Sequence, residues 1–223
     1  MKASFRVRTI IPSLFLVIIC GEIFSQTDSA GNPDQFLLPE FRIGIVRTKN
    51  GEKTVLNLNY NIVTEKMVFM QNKQVYDITS QSIIDTVYID KRKFIPRGKV
   101  FNELAVDGRA ALLVQHKGTL EQPARPAAYG GTSQVSSSTY INNLKLGNDV
   151  FRMDQRRDVI IKPGDLLWIR IDYNYYPVAG KKSLMKIFGD KKNEVRSFMN
   201  KTRFDYEDPG QVRELVIFYN SLF

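Results

Sequence analysis

The chain has 223 residues, with 32 Lys and Arg against 23 Asp and Glu and a formal charge of +9. One histidine and one cysteine exclude zinc sites built on two imidazoles or on paired cysteines, and a lone cysteine closes no intramolecular disulfide. The length suffices for one large domain, or one domain with an appendage, held by its core alone.

Lys2, Arg6 and Arg8 precede an apolar run from Ile10 to Cys20, broken only by Pro12 and Ser13. The run is too short for a membrane-spanning helix and has the form of a secretory signal. Ile23-Phe24-Ser25 offers a cleavage site, so residues 1–25 are expected to leave and Gln26 to begin the mature chain. The rival reading acylates Cys20, but lipoprotein sites want a small residue before the cysteine, and Ile19 stands there. Cleavage at Ser25 leaves 29 Lys and Arg, 22 Asp and Glu, and no cysteine. A cysteine-free exported domain points to a bacterial envelope, in the periplasm or at the outer surface of a Gram-negative cell.

Residues 26–40 are rich in Asp, Ser, Gly, Asn and Pro and read as a flexible leader. From Phe41 to Tyr176 apolar residues alternate with polar ones between turn signals, the pattern of antiparallel strands. Asn50-Gly51 and Asp107-Gly108 are expected as two-residue hairpin turns. On the strand before Tyr60, Leu56, Leu58 and Tyr60 share a face opposite Val55, Asn57 and Asn59. Short strands are expected at Met67–Met70, Val75–Ile78 and Thr86–Ile89, then Val100–Val106 and Arg109–Gln115. Pro163-Gly164 is expected to turn the chain into a strand over Leu166–Tyr175, with Trp168 opposite Leu167 and Ile169. Residues 121–143 interrupt this order with Pro123, Pro126, Gly130-Gly131 and Ser136-Ser137-Ser138, a long loop of the sort that is functional or disordered.

Past Pro177 the period becomes helical, and residues 181–222 are expected as a helical appendage. Asp190 can cap a helix carrying Val195, Phe198 and Met199. Asp208-Pro209-Gly210-Gln211 opens a second, with Asp208 as N-cap, Pro209 as first residue and Gln211 as capping-box partner.

The search for chemistry finds no catalytic set. His116 falls at the polar end of its strand beside Lys117, and no Gly-x-Ser-x-Gly elbow presents a nucleophile. Ser183-Leu184-Met185-Lys186 fits Ser-x-x-Lys but lacks companion elements. Asp205, Glu207 and Asp208 form the tightest acidic cluster, which helix capping explains. No metal ligand set and no cofactor motif is present. The basic clusters Lys91-Arg92-Lys93, Arg156-Arg157, Lys181-Lys182 and Lys191-Lys192 read as solvated faces. Outside the cytoplasm their polyanions are membrane surfaces and acidic glycans rather than nucleic acid.

Binding residues are therefore sought in the long loop: Arg125 as a planar donor, Tyr129 as a contact surface, Gly130 and Gly131 for close backbone approach, and Gln134. Trp168, with Arg170 and Asn174, could stack on a sugar ring or lie in a seam under the C-terminal helices. Asp28-Ser29-Ala30 resembles an O-glycosylation acceptor, with Ser29 the modified residue.

Tyr60-Asn61 with Thr64 and Met67, Val75-Tyr76-Asp77-Ile78, Pro126 to Gln134 and Ile187 to Lys192, with Phe204 and the Tyr219-Asn220 ending, together resemble a family of exported bacterial envelope proteins of uncharacterised activity. The resemblance implies an envelope setting and a β-rich body with a helical tail, and adds no activity. The expected protein is α+β, a mostly antiparallel sheet over residues 41–176 with the appendage packed against it. Its expected role is non-catalytic binding of an envelope protein or glycan, the alternative being a hydrolase of peptidoglycan or polysaccharide.

Overall fold

The computed structural model describes residues 33–121, 125–126, 132–133 and 160–223. Alternation builds β1 (Arg42–Thr48), β2 (Lys53–Asn61), β3 (Lys66–Gln71), β4 (Gln74–Asp77), β5 (Ile84–Ile89), β6 (Arg92–Arg97), β7 (Val100–Val106) and β8 (Ala110–Glu121). A short ribbon pairs β9 (Arg125–Pro126) with β10 (Thr132–Ser133), and β11 (Ile160–Ile171) and β12 (Asn174–Pro177) follow. One ten-stranded antiparallel sheet runs in the order β12-β11-β8-β7-β6-β5-β1-β2-β3-β4. Helices α1 (Lys181–Ile187), α2 (Lys192–Lys201) and α3 (Pro209–Asn220) complete the α+β fold.

The sheet curls into a half-barrel. Beyond β2 the chain folds over β8, where the Gly118 N–H donates to the Ile62 carbonyl at 2.6 Å. A Cβ on Gly118 would lie 2.9 Å from Ile62 Cγ1, so the approach needs glycine. The Tyr60 hydroxyl, fully buried, lies 3.1 Å from the carbonyls of both Phe101 and His116. Leu58, Tyr60, Met67, Ile89, Phe94 and Phe101 fill the concave face there. A second cluster lies further along the same face, where Leu112, Val114, Leu167 and Ile169 meet the inner sides of the three helices.

Several turns depart from expectation. At Asn50-Gly51 only Gly51 takes a positive φ, 91°, within a wider loop closed by Thr48 N–H on the Glu52 carbonyl. Asn72 and Lys73, at φ 52° and 62°, make the tight turn between β3 and β4 instead. Three residues, Asp107-Gly108-Arg109, join β7 to β8 where two were expected, with Gly108 at φ 151°. The expected strand Leu166–Tyr175 is two strands, because Asp172 at φ 55° starts a turn whose Tyr173 is 95% exposed. Pro163-Gly164 is no turn; β11 runs straight through it, paired with Gly118 and Lys117 of β8. Strand β6 was hidden by Pro96 and its charged start, and Arg92 within it is paired rather than free.

The stretch read as a leader is structured from Pro33 onward. A 3-10 turn at Pro33–Gln35 and a bridge from Phe36 to Asn61 tie it to β2, and Asn59 bonds the backbone of Leu38 in both directions. At the other end, Asp208 Oδ1 accepts the Gly210 N–H at 2.8 Å, as an N-cap should. Gln211 Oε1 accepts the Asp205 N–H at 2.8 Å while its Nε2 donates to Asp208 Oδ2 at 3.1 Å, so it bonds the N-cap's side chain and not its backbone N–H. Asp190 caps nothing, since its carboxylate accepts from the Tyr219 hydroxyl at 3.0 Å. Val195 and Met199 are buried as their spacing implies.

Candidate functional site

Strands β8 and β11 pair over twelve residues without a bulge, which sets His116 directly opposite Asp165. The antiparallel ladder alternates between hydrogen-bonded pairs and closer, non-bonded ones. Gly118 turns its N–H away from β11 to Ile62, and Leu167 turns its carbonyl away from β8 to the Val178 N–H at 2.9 Å. His116 and Asp165 share that parity, so they form a non-bonded pair, the type that brings side chains closest. His116 Nδ1 lies 2.8 Å from Asp165 Oδ1.

The other ring nitrogen, Nε2, lies 2.7 Å from Glu103 Oε2 of β7, and Arg92 of β6 grips the same carboxylate with two bonds of 3.0 and 2.5 Å. The His116 ring is nearly enclosed, edge-on to Tyr60. Burial favours the neutral imidazole, but the bonds to Asp165 and Glu103 outweigh it and raise the histidine's pKa. Burial would likewise raise the Glu103 pKa; the bonds from His116 and Arg92 outweigh it and hold it at about 2. An imidazolium donating from both nitrogens has no lone pair to offer as a general base. The two acids stand on opposite sides of the ring, and among the described residues no set of His, Cys, Asp and Glu is placed to hold a metal ion.

This polar row is the boundary between the two cores. Along β8 the concave face reads Leu112, Val114, His116, Gly118, Leu120, and along β11 Ile169, Leu167, Asp165, Pro163, Ile161. His116 was expected at the polar end of its strand, but β8 extends to Glu121, which makes His116 central rather than terminal.

On the opposite face, Trp168 Nε1 donates to Gln115 Oε1 at 2.9 Å, and the Arg97 guanidinium sits 3.9 Å from the indole centroid while bonding the same oxygen at 2.7 Å. Gln115 in turn donates to Glu65. The helices cover the Leu167 and Ile169 face, so Trp168 is not in their seam. Its N–H is engaged and one ring face is taken by Arg97, yet it lines the larger of the two clefts beside β11.

Two clefts flank β11 and meet at Pro163 and Asp165. One, of about 830 Å³, runs between the strand and the chain leading into α3, with Leu166, Val178, Tyr206 and Glu207 on its walls. The other, of about 550 Å³, lies between the strand and the N-terminal segment, lined by Phe36, Pro39, Ile62 and Lys117. Their floor is a strand edge: β12 pairs with Trp168–Ile171, and among the described residues no further strand is paired on that side of β11.

Of the loop residues, Arg125 lies in the ribbon, its backbone opposite Ser133. Tyr129, Gly130, Gly131, Gln134 and Ser29 lie outside the described residues. Ser183 does not cap α1; its hydroxyl donates to the Pro177 carbonyl at 2.9 Å, in that helix's first turn. Asp165, Glu103 and Arg92 gave no signal as a group, because only the pairing of four strands assembles them. One trace was present: Glu103 interrupts the inward-facing alternation that begins at Phe101.

Compared with known protein families, curated proteins and solved structures, the chain matches none.

Proposed function

We propose that this is an exported envelope protein acting as a non-catalytic binding module for a protein or glycan partner, and that the two clefts along β11 are where the partner sits. The observation that carries the reading is the pair of clefts meeting beside β11, with Tyr206, Glu207 and Trp168 lining one and Asp165 at the junction. Mixed apolar and polar lining on a rigid strand is what recognition sites are built from. Both nitrogens of His116 are engaged by carboxylates, which supports binding over acid–base turnover. The resemblance to exported bacterial envelope proteins supports the location.

A second reading, an envelope hydrolase, draws on Asp165 and Glu207 lining one cleft, since two carboxylates suffice for glycoside cleavage. The purified protein separates the two. Turnover of peptidoglycan or polysaccharide abolished by Glu207→Gln establishes the hydrolase; no turnover is expected for a binding module. The binding reading is tested in intact cells with a photoreactive phenylalanine at position 206, compared with one at Ile43, which is 77% exposed on β1. Adducts with protein or glycan from 206 and not from 43 are expected. Equal or absent adducts at both positions contradict it.

A further inference from the structure

We infer that the outer face of α1 and α2 is an electrostatic contact surface for a membrane of anionic phospholipids. This surface is separate from the clefts, and none of its cations lines either one.

Charge is distributed unevenly along the chain. Residues 181–203 hold eight Lys and Arg against Asp190 and Glu194, a net +6 in a chain whose total is +9. In the sheet, Arg42, Arg47, Lys66, Arg92, Lys93 and Arg170 each pair with a carboxylate. Among the described residues, none of the eight cations of 181–203 does. The next acids, Asp205, Glu207 and Asp208, belong to the approach to α3, which Asp208 caps.

Packing turns these cations outward. Leu184 and Phe188 at α1, and Val195 and Met199 of α2, enter the second core. Lys182 and Lys186 stand two residues either side of Leu184, on the opposite side of the helix and one turn apart. In α2, Lys192, Arg196 and Asn200 form an exposed row at intervals of four. Lys181 Nζ lies 3.4 Å from Asn200 Oδ1, so the two rows adjoin. Like charges four apart oppose helix formation, yet Lys182 and Lys186, and Lys192 and Arg196, stand so. Asp190, next in the first row, accepts from the Tyr219 hydroxyl rather than pairing with Lys186.

Lys181, Lys182, Lys186, Lys192 and Arg196 are all exposed and spread over two outward rows. A single bound anion needs donors that converge on it, and an acidic polymer needs a groove to track. A layer of negative headgroups meets all five cations at once, each worth about fivefold in affinity near an anionic leaflet. At seven and ten residues, α1 and α2 are too short to cross a bilayer, so the contact is with its surface.

The test is co-sedimentation of the purified mature chain with vesicles of phosphatidylcholine, alone or with about one third phosphatidylglycerol. Binding to the anionic vesicles only is expected, falling about tenfold between about 0.1 and 0.5 M salt. Lys186→Gln with Arg196→Gln should weaken it about thirtyfold. Lys53→Gln with Lys99→Gln removes the same charge from exposed sites on β2 and beside β7, and should change it less than about twofold. Circular-dichroism melts check that both variants fold. No binding to the anionic vesicles, equal binding to the neutral ones, or equal losses in the two variants overturns the inference. Soluble polygalacturonate bound more tightly per negative charge than the vesicles, with the same dependence on Lys186 and Arg196, also overturns it, since the surface would then serve an acidic glycan.

Discussion

At the residue scale, His116 and Glu103 tie the two cores together through charge, and their titration sets a pH window. The Glu103 pKa, about 2 in the fold against an ordinary 4.5, means that its contribution is complete above about pH 4.5. That contribution is lost as pH falls toward 2, and the shift amounts to on the order of 3 kcal/mol. His116, with its pKa raised above 6.5, contributes fully below pH 6.5 and loses that contribution as pH rises through the raised value. The network is therefore strongest between about pH 4.5 and 6.5. Thermal melts across pH 2–9 should peak in that interval, and Glu103→Gln should flatten the acid limb; an unchanged acid limb would show that other carboxylates control it. Tyr60→Phe leaves the Phe101 and His116 carbonyls without their shared donor and should cost about 1–2 kcal/mol by urea denaturation.

Elements were legible in proportion to how local their causes are. The N-terminus of α3 was readable because Asp208, Pro209 and Gln211 act within one turn; Asp208→Ala should cost about 1 kcal/mol in a chemical melt. The β7–β8 hairpin was readable from Asp107-Gly108, but what fixes it was not. Asn220, at the end of α3, donates to the Ala110 carbonyl and accepts its N–H at 2.9 and 2.8 Å, 110 residues away in sequence. Gly108 leaves room for that clamp, since a Cβ there would lie 2.6 Å from Asn220 Nδ2. Gly108→Ala and Asn220→Ala should each destabilise the fold by about 1–3 kcal/mol, and the double variant by less than their sum. Additive losses would place the strain of Gly108 in its backbone alone. The turn at Asp172 escaped notice because Ile171, Tyr173 and Tyr175 keep apolar alternation across it. β6 escaped because Pro96 reads as a breaker, though it pairs with Phe101.

For the whole molecule, fold class was visible in the change of period after Pro177, and the α+β architecture follows it. Of the site, only Trp168, which lines the larger cleft, was visible. Glycines and serines drew attention to residues 121–143, whereas the clefts form where β11 outruns β12 and two distant segments, Asp34–Pro39 and Tyr206–Pro209, rise beside it. No single stretch carries that arrangement; among the described residues it arises from a twelve-residue strand paired with β8 along its whole length and with β12 over four residues. Sheets ordinarily cover or blunt an edge, and along Ile160–Leu166 the devices are Lys162, Pro163 and the inward-facing Asp165.

Amide hydrogen exchange of the free protein by NMR tests the open edge most directly. Alternation along β11 is expected: Lys162, Gly164 and Leu166 protected by their bonds to β8, Ile161 and Asp165 exchanging with the solvent. Uniform protection from Ile161 to Leu166 would mean that the edge is already covered, and would contradict the proposed seating of a partner along it.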